Sequence, residues 1–217
     1  MNILTVDVED YFHVSAFAKS IDRTQWDAYN CRVEHNTQRL LDLFDDKKVT
    51  GTFFVLGWVA ERYPALVKEI IARGHEVASH GFSHQLVYEQ TPEVFRDETR
   101  RSKRLLEDLT QKPVRGYRAA SYSITKKSLW ALDILCELGF EYDSSIYPVY
   151  HDRYGIPDAP REPHVLTAPN GGAIIELPLS YIELAGARVP ISGGGYFRLF
   201  PYWLTRHCIR AVNTKNQ

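Results

Sequence analysis

Long apolar runs are missing from this 217-residue chain. With them goes any segment able to span a bilayer, which needs about 20 consecutive apolar residues. Cysteine is scarce: Cys31, Cys136 and Cys208 lie far apart and form no C-x-x-C pair. Their odd number argues against a disulfide framework. An excess of one charge is also missing, since 26 basic and 27 acidic residues leave a net charge of -1. Nothing electrostatic therefore favours nucleic acid or an anionic membrane surface as partner. Met1-Asn2 runs straight into Ile3-Leu4-Thr5-Val6, without a basic n-region and a long apolar stretch behind it. The expectation is a reduced, cytoplasmic location.

What is present suits one globular domain over residues 1–217, because 44% hydrophobic residues can bury a sizeable core. Short apolar runs at Ile3 to Val6, Thr52 to Leu56, Glu76 to Ser79, Val114 to Tyr117, Phe140 to Tyr142 and Ala173 to Leu179 read as strands. Amphipathic stretches alternate with them. One helix is expected after a cap at Asn36 or Thr37, carrying Leu40, Leu41 and Phe44, and another from Trp58 to Arg73, stopped by Gly74. Thr91 and Pro92 open a third that continues to about Thr110. Thr125 caps Lys126 to Leu138, and Pro201 to Val212 reads as a last helix. Residues 147–169 read as loop. Gly193-Gly194-Gly195 lacks the lysine and hydroxyl of a phosphate loop and reads as a flexible connection. The βα alternation implies a largely parallel sheet or barrel with helices outside. Only a polar tail follows the last helix, so the strand that would close a barrel is not in evidence.

The chemistry-bearing residues gather at the ends of these strands. Asp7-Val8-Glu9-Asp10 follows the first and His80-Gly81-Phe82-Ser83-His84 the third. Residues two apart on a strand share a face, so Asp7 and Glu9 can enter one site while Val8 packs elsewhere. His80 and His84 lie on one face if their segment coils into a helical turn. Two imidazoles and a carboxylate are the donor set of a divalent metal with an open position. Gly81 stands where a metalloprotease H-E-x-x-H would carry glutamate. Arg118, ending the fourth strand, can orient a catalytic carboxylate and keep it ionised. Asp143-Ser144-Ser145 is equally a turn or a site. The loop aromatics Tyr11, Phe12, Tyr122, Tyr147, Tyr150, Tyr196 and Trp203 are either a stacking wall for sugar rings or satellite core.

Together these segments resemble the polysaccharide deacetylases of the NodB-homology group, carbohydrate esterase family 4. Thr5-Val6-Asp7, the histidine pair with Ser83 before His84, Arg118 after its strand, and Tyr142-Asp143-Ser144-Ser145 match four family motifs. Asp7 to His13 and Gly193 to Leu199 are similar to a bacterial subgroup found with exopolysaccharide loci. The resemblance implies an α/β fold, a distorted, incomplete (β/α) barrel, and metal-dependent hydrolysis of the N-acetyl group of sugars in an oligo- or polysaccharide. It implies Asp7 as catalytic base, oriented by Arg118, and Glu9, His80 and His84 as ligands of a divalent metal, zinc first among candidates. Asp10 stays open as the alternative carboxylate ligand. The family's final leucine-histidine strand, which supplies a general acid, has no counterpart before Gln217. The expectation is a domain lacking its closing strand, able to bind metal and slow in turnover. Three rivals stand beside this: an allantoinase-like hydrolase of a small cyclic amide, a non-catalytic carbohydrate-binding remnant, and a non-haem iron oxygenase.

Overall fold

The computed structural model describes residues 2–215. Seven strands form one sheet: β1 (Thr5–Val8), β2 (Thr52–Val55), β3 (Glu76–Ser79), β4 (Gly116–Tyr117), β5 (Tyr142–Asp143), β6 (His164–Thr167) and β7 (Ala173–Glu176). Their order is β1-β2-β3-β4-β5-β7-β6, and every pairing is parallel except β6 with β7. The crossovers carry α1 (Val33–Lys47), α2 (Gly57–Arg62), α3 (Pro64–Ala72), α4 (Pro92–Thr110) and α5 (Trp130–Glu137). A separate hairpin, β8 (Tyr181–Leu184) with β9 (Ala187–Pro190), precedes α6 (Gly194–Leu199) and α7 (Tyr202–Lys215). Phe53, Phe54 and Val55 of β2 are all buried, as a strand covered on both faces requires. Among the described residues the sheet stays open, with β1 and β6 as its edges. This is the distorted, incomplete (β/α) barrel. No helix among the described residues is long and apolar enough to cross a membrane.

Several local expectations are corrected, each for a physical reason. The first strand begins at Thr5 rather than Ile3: the register runs from Thr5↔Thr52 to Val8↔Val55, and Ile3 and Leu4 are exposed. α1 starts at Val33, so Thr37 is a buried residue inside the helix and not its cap. The single helix from Trp58 to Arg73 is two, broken at Tyr63. Pro64 has no N–H to donate and disfavours a helical residue before it, yet it suits the first turn of α3. α5 begins at Trp130, not Lys126, because Ser128 organises a turn, accepting from the Thr125 N–H and donating to the Ser123 carbonyl. Residues 147–169 contain β6, which pairs antiparallel with β7. The hairpin β8–β9 turns on Ala185 and Gly186, both at positive φ, as a tight two-residue turn demands. Gly194 and Gly195 belong to α6 instead of a flexible connection.

The main core lies between sheet and helices, with Leu41, Phe53, Val59, Ile70, Leu106 and Leu135 fully buried. A second cluster of Tyr147, Val149, Leu179 and Tyr181 sits under the long loops, with Tyr122, Tyr154 and Tyr196 packed against it. Two backbone hydrogen bonds tie the core to the histidine loop. Where β2 passes into α2, the Gly57 N–H donates to the Gly81 carbonyl at 2.8 Å and the Trp58 N–H to that of Phe82 at 3.0 Å. A Cβ on Gly57 would stand 2.4 Å from Phe82 Cδ2. Gly57→Ala is therefore expected to overpack this junction and lower stability by about 1–3 kcal/mol. Chemical denaturation checks it, and unchanged stability would show that Phe82 yields without cost.

Candidate metal centre

The carboxyl ends of the parallel strands share one rim, where open α/β sheets place their ligands. Asp7 lies within β1, with its side chain 25% exposed. Glu9 does not get its direction from strand alternation, because the strand ends at Val8 and the Glu9 N–H turns back onto the Asp7 carbonyl at 3.1 Å. That tight turn sends the Glu9 carboxylate towards the histidines. Asp10 is turned elsewhere. It caps the turn Tyr11–His13, accepting from the Tyr11 N–H at 2.8 Å and from the Arg32 backbone N–H, with the Arg32 guanidinium 3.7 Å away.

His80 follows β3 directly, and its N–H donates to the Val55 carbonyl at 3.0 Å. The segment to His84 is not a helical turn, contrary to the one-face argument. It is a bent loop folded by positive φ at Gly81 (73°) and His84 (50°). A left-handed histidine is strained by about 1–3 kcal/mol, a cost that concentrates at functional sites. The result still brings the rings together, with centroids 5.2 Å apart. Donor atoms of Glu9, His80 and His84 all lie within 4.8 Å of one another.

This donor set fits a divalent cation. His80 Nδ1 lies 2.8 Å from the Arg118 carbonyl, which can only accept, so Nδ1 carries the proton and Nε2 keeps its lone pair. His84 Nε2 approaches Glu9 Oε2 at 2.8 Å, yet that buried oxygen makes no hydrogen bond of good geometry. Buried polar atoms left so are costly unless a further group satisfies them. Burial works to raise the Glu9 pKa, but the charge of His84 beside it, aided by that of His80, holds it down at about 2. Burial lowers the His80 pKa; for His84 the opposing pull of Glu9 prevails and raises it.

Arg118 binds the base side of the site. Its Nη1 donates to Asp7 Oδ1 at 2.8 Å and to Thr5 Oγ1 at 2.9 Å. Its Nε donates to the Ser144 carbonyl and its Nη2 to Ser144 Oγ. The Asp143-Ser144-Ser145 segment is thus part of the site's support. Ser121 and Tyr122, just beyond Arg118, both hold positive φ of 50° and 56°. Of the loop aromatics, Tyr147 is satellite core: its hydroxyl donates to the Ser180 carbonyl and accepts from the Ile191 and Ser192 N–H groups. Tyr150 and Trp203 are exposed.

One residue escaped the sequence argument. His13 is 3% exposed, packed edge-on against Phe12, Trp26 and Trp58, and its Nδ1 accepts from the Asp10 N–H at 2.8 Å. In the sequence it is marked by its place three residues after Asp10, the spacing of a reciprocal cap, and as the end of the Asp7-to-His13 stretch.

The polysaccharide deacetylase family model matches residues 21–142, and a domain of unknown function, DUF3473, matches residues 144–217. A peptidoglycan deacetylase of Helicobacter pylori is 32% identical over 121 residues, covering 54% of this chain and 40% of its own. A chitooligosaccharide deacetylase of Bradyrhizobium is 29% identical over 99 residues, covering 46% and 43%. The chain thus spans less than half the length of these curated relatives. A Mycobacterium smegmatis structure, provisionally identified as a polysaccharide deacetylase, superposes with a TM-score of 0.63 at 25% identity, over 89% of this chain and 64% of the other.

The buried His13 ring makes a testable contribution to acid stability. Burial lowers its pKa to about 3 from 6.5, against the opposing pull of Glu9. The unfolded chain then binds the extra proton first, so this contribution is full above about pH 6.5 and is lost as the pH falls towards 3. His13→Asn keeps an acceptor for the Asp10 N–H without titrating. The variant is expected to show a shallower fall in Tm between pH 7 and 4 than the wild-type chain. Parallel Tm curves would contradict it.

Proposed function

Because this chain belongs to the polysaccharide deacetylase family, we propose that it hydrolyses the N-acetyl group of amino sugars in an oligo- or polysaccharide. The observation that carries this reading is the convergence of Glu9, His80 and His84 beside an aspartate, Asp7, held by a buried arginine. In the reaction, water adds to the acetamide carbonyl carbon and the C–N bond breaks, giving acetate and the free amine.

Glu9 Oε2, His80 Nε2 and His84 Nε2 would hold a divalent metal, with zinc the first candidate for a His-rich site of this kind. Such an ion supplies Lewis acidity towards a carbonyl and acidifies water to a pKa of about 7. Asp7 takes the proton of the attacking water: its carboxylate is partly exposed and accepts from Arg118 through Oδ1. Arg118 fixes the direction of that carboxylate through Nη1 while Ser144 and Thr5 fix Arg118. The Arg118 carbonyl fixes His80 in turn, so base and ligand are oriented by one residue. The relatives act, by their names, on peptidoglycan and on chitooligosaccharide. Both names point to N-acetylated amino sugars, and that is the substrate class proposed for this chain.

Metal analysis and acetate release test this reading together. The purified chain is expected to bind zinc stoichiometrically and His80→Ala to lose it. Acetate release from an N-acetylglucosamine oligomer should require zinc, and Asp7→Asn should slow it by about 10²–10⁴ while retaining the metal. Equal metal content in His80→Ala and wild type would remove the metal from the account. Turnover of allantoin in place of acetate release would move the substrate to a small cyclic amide.

A further inference from the structure

Behind Arg118 lies a pair of carboxyl groups that the proposed reaction does not use. Asp143 ends β5 and Glu176 ends β7, and the two are direct register partners. Both are 0% exposed. Each has one oxygen satisfied: Asp143 Oδ1 accepts from Ser145 Oγ at 2.5 Å, and Glu176 Oε1 accepts from the Ile146 N–H at 3.0 Å. The other two oxygens, Asp143 Oδ2 and Glu176 Oε2, have no donor. Two ionised carboxylates side by side in a closed interior repel each other and leave both of these acceptors empty. A single proton between them removes one charge and satisfies both atoms at once.

The same pair is wired to the site. The segment from Asp143 to Ile146 supplies the Ser144 carbonyl and hydroxyl that hold the Arg118 guanidinium, and Ser145 Oγ accepts from the Ala119 N–H at 2.8 Å. The Ser144 hydroxyl donates to the Leu177 carbonyl, next to Glu176, at 2.9 Å. The groups facing the pair are the Tyr117 phenol of β4 and the Arg118 guanidinium just after it, with the Ser145 hydroxyl and the Ile146 N–H from the segment after β5. Arg118 is the one cation among them, and it is committed to Asp7.

We propose that Asp143 and Glu176 share one proton and act as positioning residues, clamping the 143–146 segment so that Arg118 is held in place for Asp7. The part concerning Asp7 rests on the deacetylase reading; the shared proton and the clamp do not. Burial raises the Asp143 pKa to about 6, and burial with the Asp143 charge beside it lifts Glu176 well above the ordinary carboxylate range. Glutamine at position 176, whose amide N–H can donate where the shared proton sits, is the conservative substitute.

Two measurements on the full chain, without zinc or substrate, decide this. Infrared difference spectra at neutral pH between wild type and Glu176→Gln should show a protonated-carboxyl C=O band that is present in wild type and missing in the variant. Hydrogen exchange of the peptide spanning residues 117–123 should be about tenfold faster in Glu176→Ala and return to the wild-type rate in Glu176→Gln. If Glu176→Ala does not fold, Asp143→Ala takes its place, with Asp143→Asn as its conservative substitute. No protonated-carboxyl band in wild type overturns the shared proton, and wild-type exchange in the alanine variant overturns the clamp. In acetate release, the alanine variant should lose kcat with KM unchanged, and the glutamine variant should regain it. A chain that binds no zinc and releases no acetate would end the deacetylase reading while the spectral and exchange results still judge the pair.

Discussion

Arg118 makes the site one object rather than four strand ends. Its guanidinium reaches Thr5 and Asp7 on β1 and Ser144 beyond β5; its backbone N–H donates to the Ser79 carbonyl at the end of β3, and its carbonyl receives His80. Burying a guanidinium is costly unless its donors are met and its charge is paired. Here it is met by two hydroxyls, a carbonyl and a carboxylate in fixed directions, and its face lies 4.0 Å from the centre of the Phe54 ring. A lysine could not reproduce this, because a point ammonium lacks the planar fork that reaches opposite strands simultaneously.

From this follows the division of labour around the rim. Asp7 is tethered and partly open, while Glu9 is released from the strand by a tight turn and drawn to His84. Three non-glycine residues of the rim, His84, Ser121 and Tyr122, hold left-handed backbone conformations. Such strain persists only where surrounding structure over-determines it. The histidine loop is held by Gly57 and Trp58 from below, and the loop after Arg118 by Ser145 and the tyrosine cluster from the side. The two halves matched by different family models meet at this point, since Asp143 and Glu176 join β5 to β7 across residue 144.

Much of the fold was legible because buried parallel strands and amphipathic helices print their periods directly into sequence. β3 and α4 lie where apolar runs and the Thr91-Pro92 cap put them. What was misjudged depended on partners. β6 is an edge strand whose alternation is weak in itself and becomes a strand through β7. The split between α2 and α3 is legible in Pro64, which cannot donate within a continuous helix. Of the site, the residue types at the strand ends were legible: Asp7, Glu9, His80, His84 and Arg118. Their directions were not, because neither strand parity for Glu9 nor a helical turn for the histidines describes the backbone that carries them.

The sequence by itself determined an α/β chain with carboxylates, imidazoles and an arginine at successive strand ends, since side-chain chemistry and hydrophobic period are local properties. Only the tertiary structure decided which carboxylate meets the histidines. Glu9 and Asp10 are adjacent and chemically similar, and they part because Asp10 is consumed by the Tyr11 and Arg32 N–H groups. Tertiary structure alone also brought Asp143 against Glu176, 33 positions apart in the chain, where exclusion of water makes two ordinary acids compete for one proton.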